Sequence, residues 1–417
     1  MPDWIIWVIR IFIWFSFGSG IILMINRIRL DNGIGIPLLP VPVNIRFSLR
    51  TVLLLIGVAL ASRGLVAALG FLTHPGSTLS DLWNRWDAPH YLTIASEGYT
   101  ADTSLGDNHL FIVFYPLYPW LVRLLGGGFT GATVVSWAAL AVACVLLWYW
   151  CEENTPGDGG WAASMLLTFP TGVFLGAPYT ESLFLLTSIG CLWSLRRRKF
   201  WASGLFGFAA ALTRNLGILL ALPYVITYLL HHRLLGSNWK EAWKDWKKPR
   251  ICLDRLAGIF FGLIILSGFG MYLGLNYYIY GDALKFLEIQ KSHWHQSIGS
   301  PLNTFSYTII NAQQTDDWVK YMWIPQLGWM IASLLLLPGF MKKLPLAEAA
   351  YTVVYIFVAM SPTWLLSFPR YLMGMATLYP GLIKLLKRPW MRWAWCIIMG
   401  AWMCWWSILF CDGKPIL

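Results

Sequence analysis

Charged side chains are scarce in this 417-residue chain: Asp, Glu, Lys and Arg make up 12% of it, where a soluble domain carries about 25%. Hydrophobic residues make up 57%, gathered in runs of about 16 to 27 residues, the length that crosses a hydrocarbon core about 30 Å thick. The deficit of charge excludes a soluble globular protein and points to one helical membrane domain. The seven cysteines, Cys144, Cys151, Cys191, Cys252, Cys396, Cys404 and Cys411, show no C-x-x-C spacing and no clustered His partners, so neither a zinc site nor a disulfide framework is expected. A phosphate loop, a G-x-S-x-G turn and a dinucleotide-binding glycine pattern are all missing, which argues against nucleotide-sugar chemistry in a cytoplasmic domain. No internal repeat or low-complexity tract stands out. The run from Trp4 to Met24 lacks both a preceding basic stretch and a small-residue cleavage site, so it reads as a retained helix rather than a signal peptide.

The charge that is present is patterned. The net charge of +11 comes from short Lys and Arg clusters between apolar runs, which positive-inside topology explains better than nucleic-acid binding. The 26 Trp residues suit the headgroup layer and ligand grooves. Apolar runs lie at 4–26, 47–73, 130–151, 161–177, 180–195, 201–213, 216–231, 255–280, 322–341, 346–361, 368–386 and 391–411. The expected fold is an all-α polytopic membrane protein with about 10 to 13 helices. Pro170 and Pro178 interrupt one stretch and Thr213-Arg214-Asn215 another, so each is expected to be a hairpin of short or broken helices, buried in protein or lining a wet cavity. Then the basic clusters at 27–50, 196–199, 231–255, 342–343 and 384–392 all face the cytoplasm. Both termini and the loops 74–129 and 281–321 lie outside. Phe111 to Leu125 is expected as an interfacial helix, and 236–250, with Trp243 and Trp246, as a cytoplasmic helix on anionic headgroups.

Asp87 follows the second run closely, at the outer boundary between Trp86 and Tyr91. Partial desolvation there makes a carboxylate a better proton acceptor than one in bulk water, although pairing with Arg85 would make it an ordinary loop residue. Glu97, Asp102 and Asp107 compete in the same loop. Glu181 sits at the tip of the first hairpin, where an acid needs a cavity or a cation, and Arg214 is the nearest candidate partner. Arg370 opens a late run at the outer face, where a guanidinium can grip a phosphate with two N–H groups or snorkel to the interface. The loop with Asp282, Lys285, Glu288, Lys291, His293 and His295 offers a phosphate or sugar surface, and no carboxylate completes a metal triad there.

Taken in order, Arg85-Trp86-Asp87-Ala88-x-His90-Tyr91, Glu97-Gly98-Tyr99, Phe114-Tyr115-Pro116-Leu117-Tyr118-Pro119, Tyr179-Thr180-Glu181-Ser182-Leu183-Phe184, Leu212-Thr213-Arg214-Asn215-x-Gly217 and Pro369-Arg370-Tyr371 resemble the signatures of the GPI mannosyltransferase 2 family, the phosphatidylinositol-glycan class V proteins and their bacterial relatives. The resemblance spans roughly 50–390. It implies a GT-C-type membrane domain over 46–411, with 74–129 as outer catalytic loop and 281–321 as second outer loop. Residues 1–45 become an added transmembrane helix with a cytoplasmic link. It also implies an inverting transfer of mannose from a polyprenyl-phosphate mannose donor to a glycolipid or other glycan acceptor, with Asp87 as base. Arg85, Trp86, His90, Tyr91, Glu181, Arg214, Arg370 and Tyr371 become the substrate-binding set. No cofactor beyond the donor is implied, and no metal. Whether Glu181 orients sugar hydroxyls or braces Arg214 stays open.

Eukaryotic members act on a GPI precursor in the endoplasmic reticulum, whereas the Trp-rich spans and the N-terminal helix fit a bacterial relative in a plasma membrane. The acceptor therefore does not carry over. Three other readings remain: a lipid-sugar flippase or transporter, a GT-C enzyme using a different sugar, and a non-catalytic partner of another membrane subunit.

Overall fold

The computed structural model describes residues 3–29, 43–234, 249–314 and 316–416. The cytoplasmic helix expected over 236–250 lies outside the described residues as far as 248. Among the described residues six helices are long and apolar enough to cross a membrane: Ile6–Asn26, Leu49–Thr73, Gly128–Glu152, Cys252–Tyr280, Val319–Lys343 and Pro389–Cys411. The chain is thus an integral, multi-pass membrane protein. The described residues are predominantly helical, and their β-structure is a single antiparallel bridge between Ile298 and Pro362. Further apolar runs form shorter helices, Phe200–Thr213, Asn215–His231 and Leu346–Ala359 among them. Hydropathy counts apolar runs, and a run can be half of a broken pair instead of a crossing.

Each break has a local cause. Helix Gly159–Leu167 stops before Pro170, a 3-10 turn covers Gly172–Leu175, and helix Glu181–Arg196 starts after Pro178. Proline lacks the N–H that would continue the ladder. Two carbonyls of this interrupted stretch meet Arg63, a fully buried residue of the second span, whose Nη1 donates to Gly172 O and whose Nη2 donates to Leu167 O at 3.2 Å. Helix Phe200–Thr213 ends where Arg214 turns extended (φ −153°, ψ 153°). A third break separates Leu346–Ala359 from Phe368–Gly374. Helices Phe200–Thr213 and Pro249–Tyr280 approach backbone to backbone, since a Cβ at Gly204 would lie 2.5 Å from Phe261 O and one at Gly268 2.5 Å from Phe208 O; small residues permit such approach between membrane helices.

Polar contacts collect at two ends. At one, Arg196 pairs with Glu348 (2.6 Å), Arg197 with Glu153 (2.7 Å) and Arg392 with Asp158 (2.8 Å), and Lys384 Nζ donates to Lys343 O at 3.1 Å. Three separate basic stretches therefore converge, as the positive-inside orientation requires. At the other end the three breaks meet the loop 74–129. That loop is itself folded, into helices Leu79–Trp83, Ala88–Glu97 and Leu117–Leu124 and a kinked 3-10 stretch Thr103–Val113. The interfacial helix expected from Phe111 starts only at Leu117, because Pro116 supplies no N–H and the residue before it is held extended. The N-terminal helix packs through Phe17, edge-on to Phe357 at 5.2 Å.

Candidate active site

The segment that carries Asp87 is shaped by its own sequence. Thr78 and Asp81 form a capping box that starts helix Leu79–Trp83, exchanging side-chain and backbone hydrogen bonds across the first turn. Trp86 then takes a left-handed conformation (φ +56°), which an aromatic residue adopts only when its surroundings enforce it. This reversal puts Asp87 at the N-cap of Ala88–Glu97. Its carbonyl accepts from His90 N (3.1 Å) and Tyr91 N (3.3 Å), while its carboxylate makes no cap hydrogen bond. The carboxylate is 39% exposed and lies 3.7 Å from Arg370 Nη1. It is anchored by its backbone and left free at its oxygens.

Behind Asp87 stands a buried charge network. Glu181 is fully buried, and its Oε1 accepts from Arg370 Nε (2.9 Å), Arg370 Nη2 (2.7 Å) and Arg214 Nη1 (2.7 Å). Arg214 Nη1 also reaches Thr180 Oγ1 at 3.2 Å. Glu181 opens its helix, where the dipole favours an acid. The Arg370 guanidinium lies over the rings of Phe174 (4.2 Å) and Tyr179 (4.8 Å), and that of Arg214 over Tyr371 (4.9 Å), contacts that help a cation out of water. Asp87, Arg370, Glu181 and Arg214 thus alternate in sign and sum to zero. Among the described residues no acceptor meets Nε or Nη2 of Arg214. Glu181 thus braces both guanidiniums through Oε1.

The other candidate residues divide. Arg85 points away from Asp87: its Nε donates to Leu82 O (3.0 Å) and its Nη2 to Cys411 O (2.7 Å), while its own carbonyl accepts from the Tyr179 hydroxyl at 2.6 Å. It braces the loop against the last span. Tyr91 is buried in a ring cluster with Phe114 (5.1 Å) and Tyr118 (5.4 Å). His90 lies on Phe111 (4.5 Å) and Phe114 (5.3 Å). Burial holds its imidazole below the ordinary value, against smaller upward pulls from Asp87 and Asp107. Glu97 is occupied by Asn108 (2.7 Å) and Asp102 by Ser104 N (2.8 Å). Lys285 pairs with Glu288, and His293 meets His109 at 6.1 Å, remote from any third ligand: among the described residues no three His, Cys, Asp or Glu cluster.

Some contributors are not marked by the sequence patterns. Phe174, outside every quoted motif, supplies a ring face for Arg370 beside that of Tyr179. Residues 412–414 fold over the end that carries Asp87, where Asp412 pairs with His74 (3.0 Å), Lys414 with Asp317 (2.7 Å), and Gly413 (φ +73°) passes close to Arg85.

Comparison with known proteins finds curated relatives. GPI alpha-1,6-mannosyltransferase 2 of Mus musculus is 30% identical over 206 residues, covering 44% of this chain and 38% of that protein. GPI mannosyltransferase 2 of Drosophila melanogaster is 26% identical over 216 residues, covering 47% and 44%. The chain is similar in part to the GPI mannosyltransferase 2 proteins. It matches well under half of the length of these relatives. No family model matches. Among solved structures, ArnT from Cupriavidus metallidurans bound to undecaprenyl phosphate aligns with a TM-score of 0.47 at 16% identity, covering 84% of this chain and 63% of that one.

Proposed function

We propose that this chain is a GT-C-type inverting glycosyltransferase that moves mannose from a polyprenyl-phosphate mannose donor to a glycolipid or other glycan acceptor at the outer membrane face. The observation that carries the reading is the arrangement of Asp87: an accessible carboxylate, free of cap bonds, 3.7 Å from a buried guanidinium. In the proposed reaction an acceptor hydroxyl oxygen attacks C1 of the mannose from the face opposite the phosphate. Asp87 takes the hydroxyl proton, the bond from C1 to the phosphate oxygen breaks, and polyprenyl phosphate leaves with the bonding pair. One displacement needs one base, and its product has inverted configuration. The negative charge that develops on the leaving phosphate needs fixed cations. Arg370 and the unengaged N–H groups of Arg214 fill that role, with no metal or cofactor in the scheme. Glu181, Trp86, His90, Tyr91 and Tyr371 build the walls. Arg85 is a brace, not a ligand contact.

The test is transfer of radiolabelled mannose from synthetic polyprenyl-phosphate mannose in membranes containing either the wild-type chain or Asp87→Asn. A labelled lipid or glycan formed by the wild type and absent in Asp87→Asn supports both donor and base. No product from the wild type with this donor, and product with another polyprenyl-phosphate sugar, replaces mannose. Equal product from both chains removes Asp87 as base.

A further inference from the structure

Between Leu167 and Tyr179 the backbone is pinned by side chains. Trp137 Nε1 donates to Gly176 O (3.1 Å), Ser136 Oγ to Ala177 O (3.0 Å) and Ser182 Oγ to Leu175 O (2.7 Å). These three donors are neutral. The fourth is Arg63, fully buried, which bonds Leu167 O and Gly172 O, Ser62 Oγ (3.3 Å) and the Met403 sulfur (3.7 Å), none of them a carboxylate. A buried cation matched by no countercharge is costly in a membrane domain and marks a functional candidate. Neutral donors pin the rest of the same stretch, so pinning alone does not account for a guanidinium. What the guanidinium adds is a rigid planar fork. Its two arms hold the end of helix Gly159–Leu167 and the start of turn Gly172–Leu175 at a fixed separation.

That turn is the platform under the site. It carries Phe174, whose ring lies 4.2 Å from the Arg370 guanidinium and stands edge-on to Tyr179 at 4.9 Å, the second ring against Arg370. The turn has no room to shift. A Cβ at Gly172 would lie 2.8 Å from Met403 Sδ, and one at Gly176 would lie 3.1 Å from Arg63 Cδ and 3.0 Å from Trp83. The chain at Gly176 is thus wedged between the stem of Arg63 and Trp83, the last residue of helix Leu79–Trp83 and four positions before Asp87. Packing this close transmits a displacement instead of absorbing it. A change at Arg63 therefore reaches the ring beneath Arg370 through contacts already made.

We infer that Arg63 is a positioning residue for the phosphate grip: from inside the second span it sets the turn that holds Phe174 against Arg370, and so fixes the guanidinium that receives the phosphate. The inference rests on the proposed reaction for one point, that the anion met by Arg370 is a polyprenyl phosphate. Arg63 itself touches neither donor nor acceptor. Its loss is felt on the phosphate side of the site and not at the acceptor.

The test is calorimetric titration of farnesyl phosphate into the full chain in lipid nanodiscs, with empty nanodiscs as blank, which reads the grip without any transfer. Arg63→Met and Phe174→Leu are each expected to weaken binding about tenfold, the size of one desolvated cation–ring contact. The double variant is expected to bind no more weakly than the weaker single one, because both changes act along one line of contacts. Arg63→Lys, which keeps the charge and one donor but not the fork, is expected to lose about threefold and guards against misfolding of the Met variant. Arg197→Met, which breaks the pair with Glu153 at the opposite end, is expected to lower the melting temperature and leave the affinity unchanged. Wild-type affinity in Arg63→Lys or in folded Arg63→Met overturns the inference, as does a loss of about a hundredfold in the double variant, where the two effects multiply. No binding of farnesyl phosphate to the wild type also overturns it, since the grip is then missing. The mannose assay separates this from the reaction: donor KM is expected to rise with acceptor KM unchanged, and a raised acceptor KM alone overturns the inference. If the wild type moves no sugar while the binding pattern holds, the transfer reading falls and the positioning role stands.

Discussion

Glu181→Gln keeps the shape of a side chain and removes its charge. In the native arrangement one carboxylate oxygen receives three N–H groups at 2.7 to 2.9 Å in a site with no exposure at Glu181. Glutamine still offers an acceptor oxygen, so the hydrogen bonds persist in weakened form. Two guanidinium charges then share the site with Asp87 alone, 3.7 Å from one of them. Breaking a buried pair by removing one partner costs about 3–5 kcal/mol. The retained acceptor and the 13% exposure of the Arg214 side chain put Gln near the lower end, about 3 kcal/mol, and Ala near the upper, about 5 kcal/mol. Arg370, released from Glu181, then pairs with Asp87 and weakens it as a base, so turnover is expected to fall at least about a hundredfold. Reversible unfolding by steric trapping in bicelles reads the first effect and donor-saturated turnover the second. Adding Arg214→Met to Glu181→Gln removes the surplus charge and is expected to restore more than half of the lost stability. A Gln variant that loses less than about 1 kcal/mol, the range of a surface pair, would mean that Glu181 is not the buried counter-ion of these two arginines.

Asp87→Asn is expected to abolish transfer while changing stability by no more than about 1 kcal/mol, because the carboxylate is partly exposed and its one ion pair is long; thermal melting beside the mannose assay checks both. Arg85→Lys loses the reach to Leu82 O and Cys411 O together, leaving a carbonyl unpaired at a cost of about 1–3 kcal/mol. Its kcat is expected to fall with donor KM unchanged, and a change in KM alone would return Arg85 to the substrate contacts. His90 gives a pH signature. Its folded pKa is depressed by burial, so the unfolded chain binds more protons and stability rises with pH. The contribution is full above the ordinary imidazole value of about 6.5 and is lost as pH falls below it. His90→Phe, which keeps a ring against Phe111 and Phe114, is expected to flatten that part of the stability profile, and an unchanged slope would show that another group titrates there.

How much of this was legible in sequence depends on whether a feature is local. Pro170, Pro178 and Thr213-Arg214-Asn215 marked the broken helices because a missing N–H or a polar triplet interrupts a ladder wherever it falls. Asp87 and Glu181 were visible because an acid between apolar runs is rare. Which break meets which was not visible. Helical periodicity fixes the face of one helix and says nothing of the angle between two, so the sharing of Glu181 by Arg214 and Arg370 emerged only from the packed bundle. Arg63 shows the limit most clearly. A lone arginine inside the second apolar run looks like a side chain that must snorkel, yet it is fully buried and meets two carbonyls of an interrupted stretch about a hundred residues downstream. Its partners are backbone atoms, which carry no residue identity for a pattern to register. The same holds for Arg85, whose sequence position beside Asp87 suggested an ion pair and whose guanidinium is instead taken by Cys411 O. Where a charged group in a membrane domain is matched by carbonyls and not by a countercharge, its role follows from where helices end in space, so the residues that hold such a site in shape are found from the fold and the residues that react in it from the sequence.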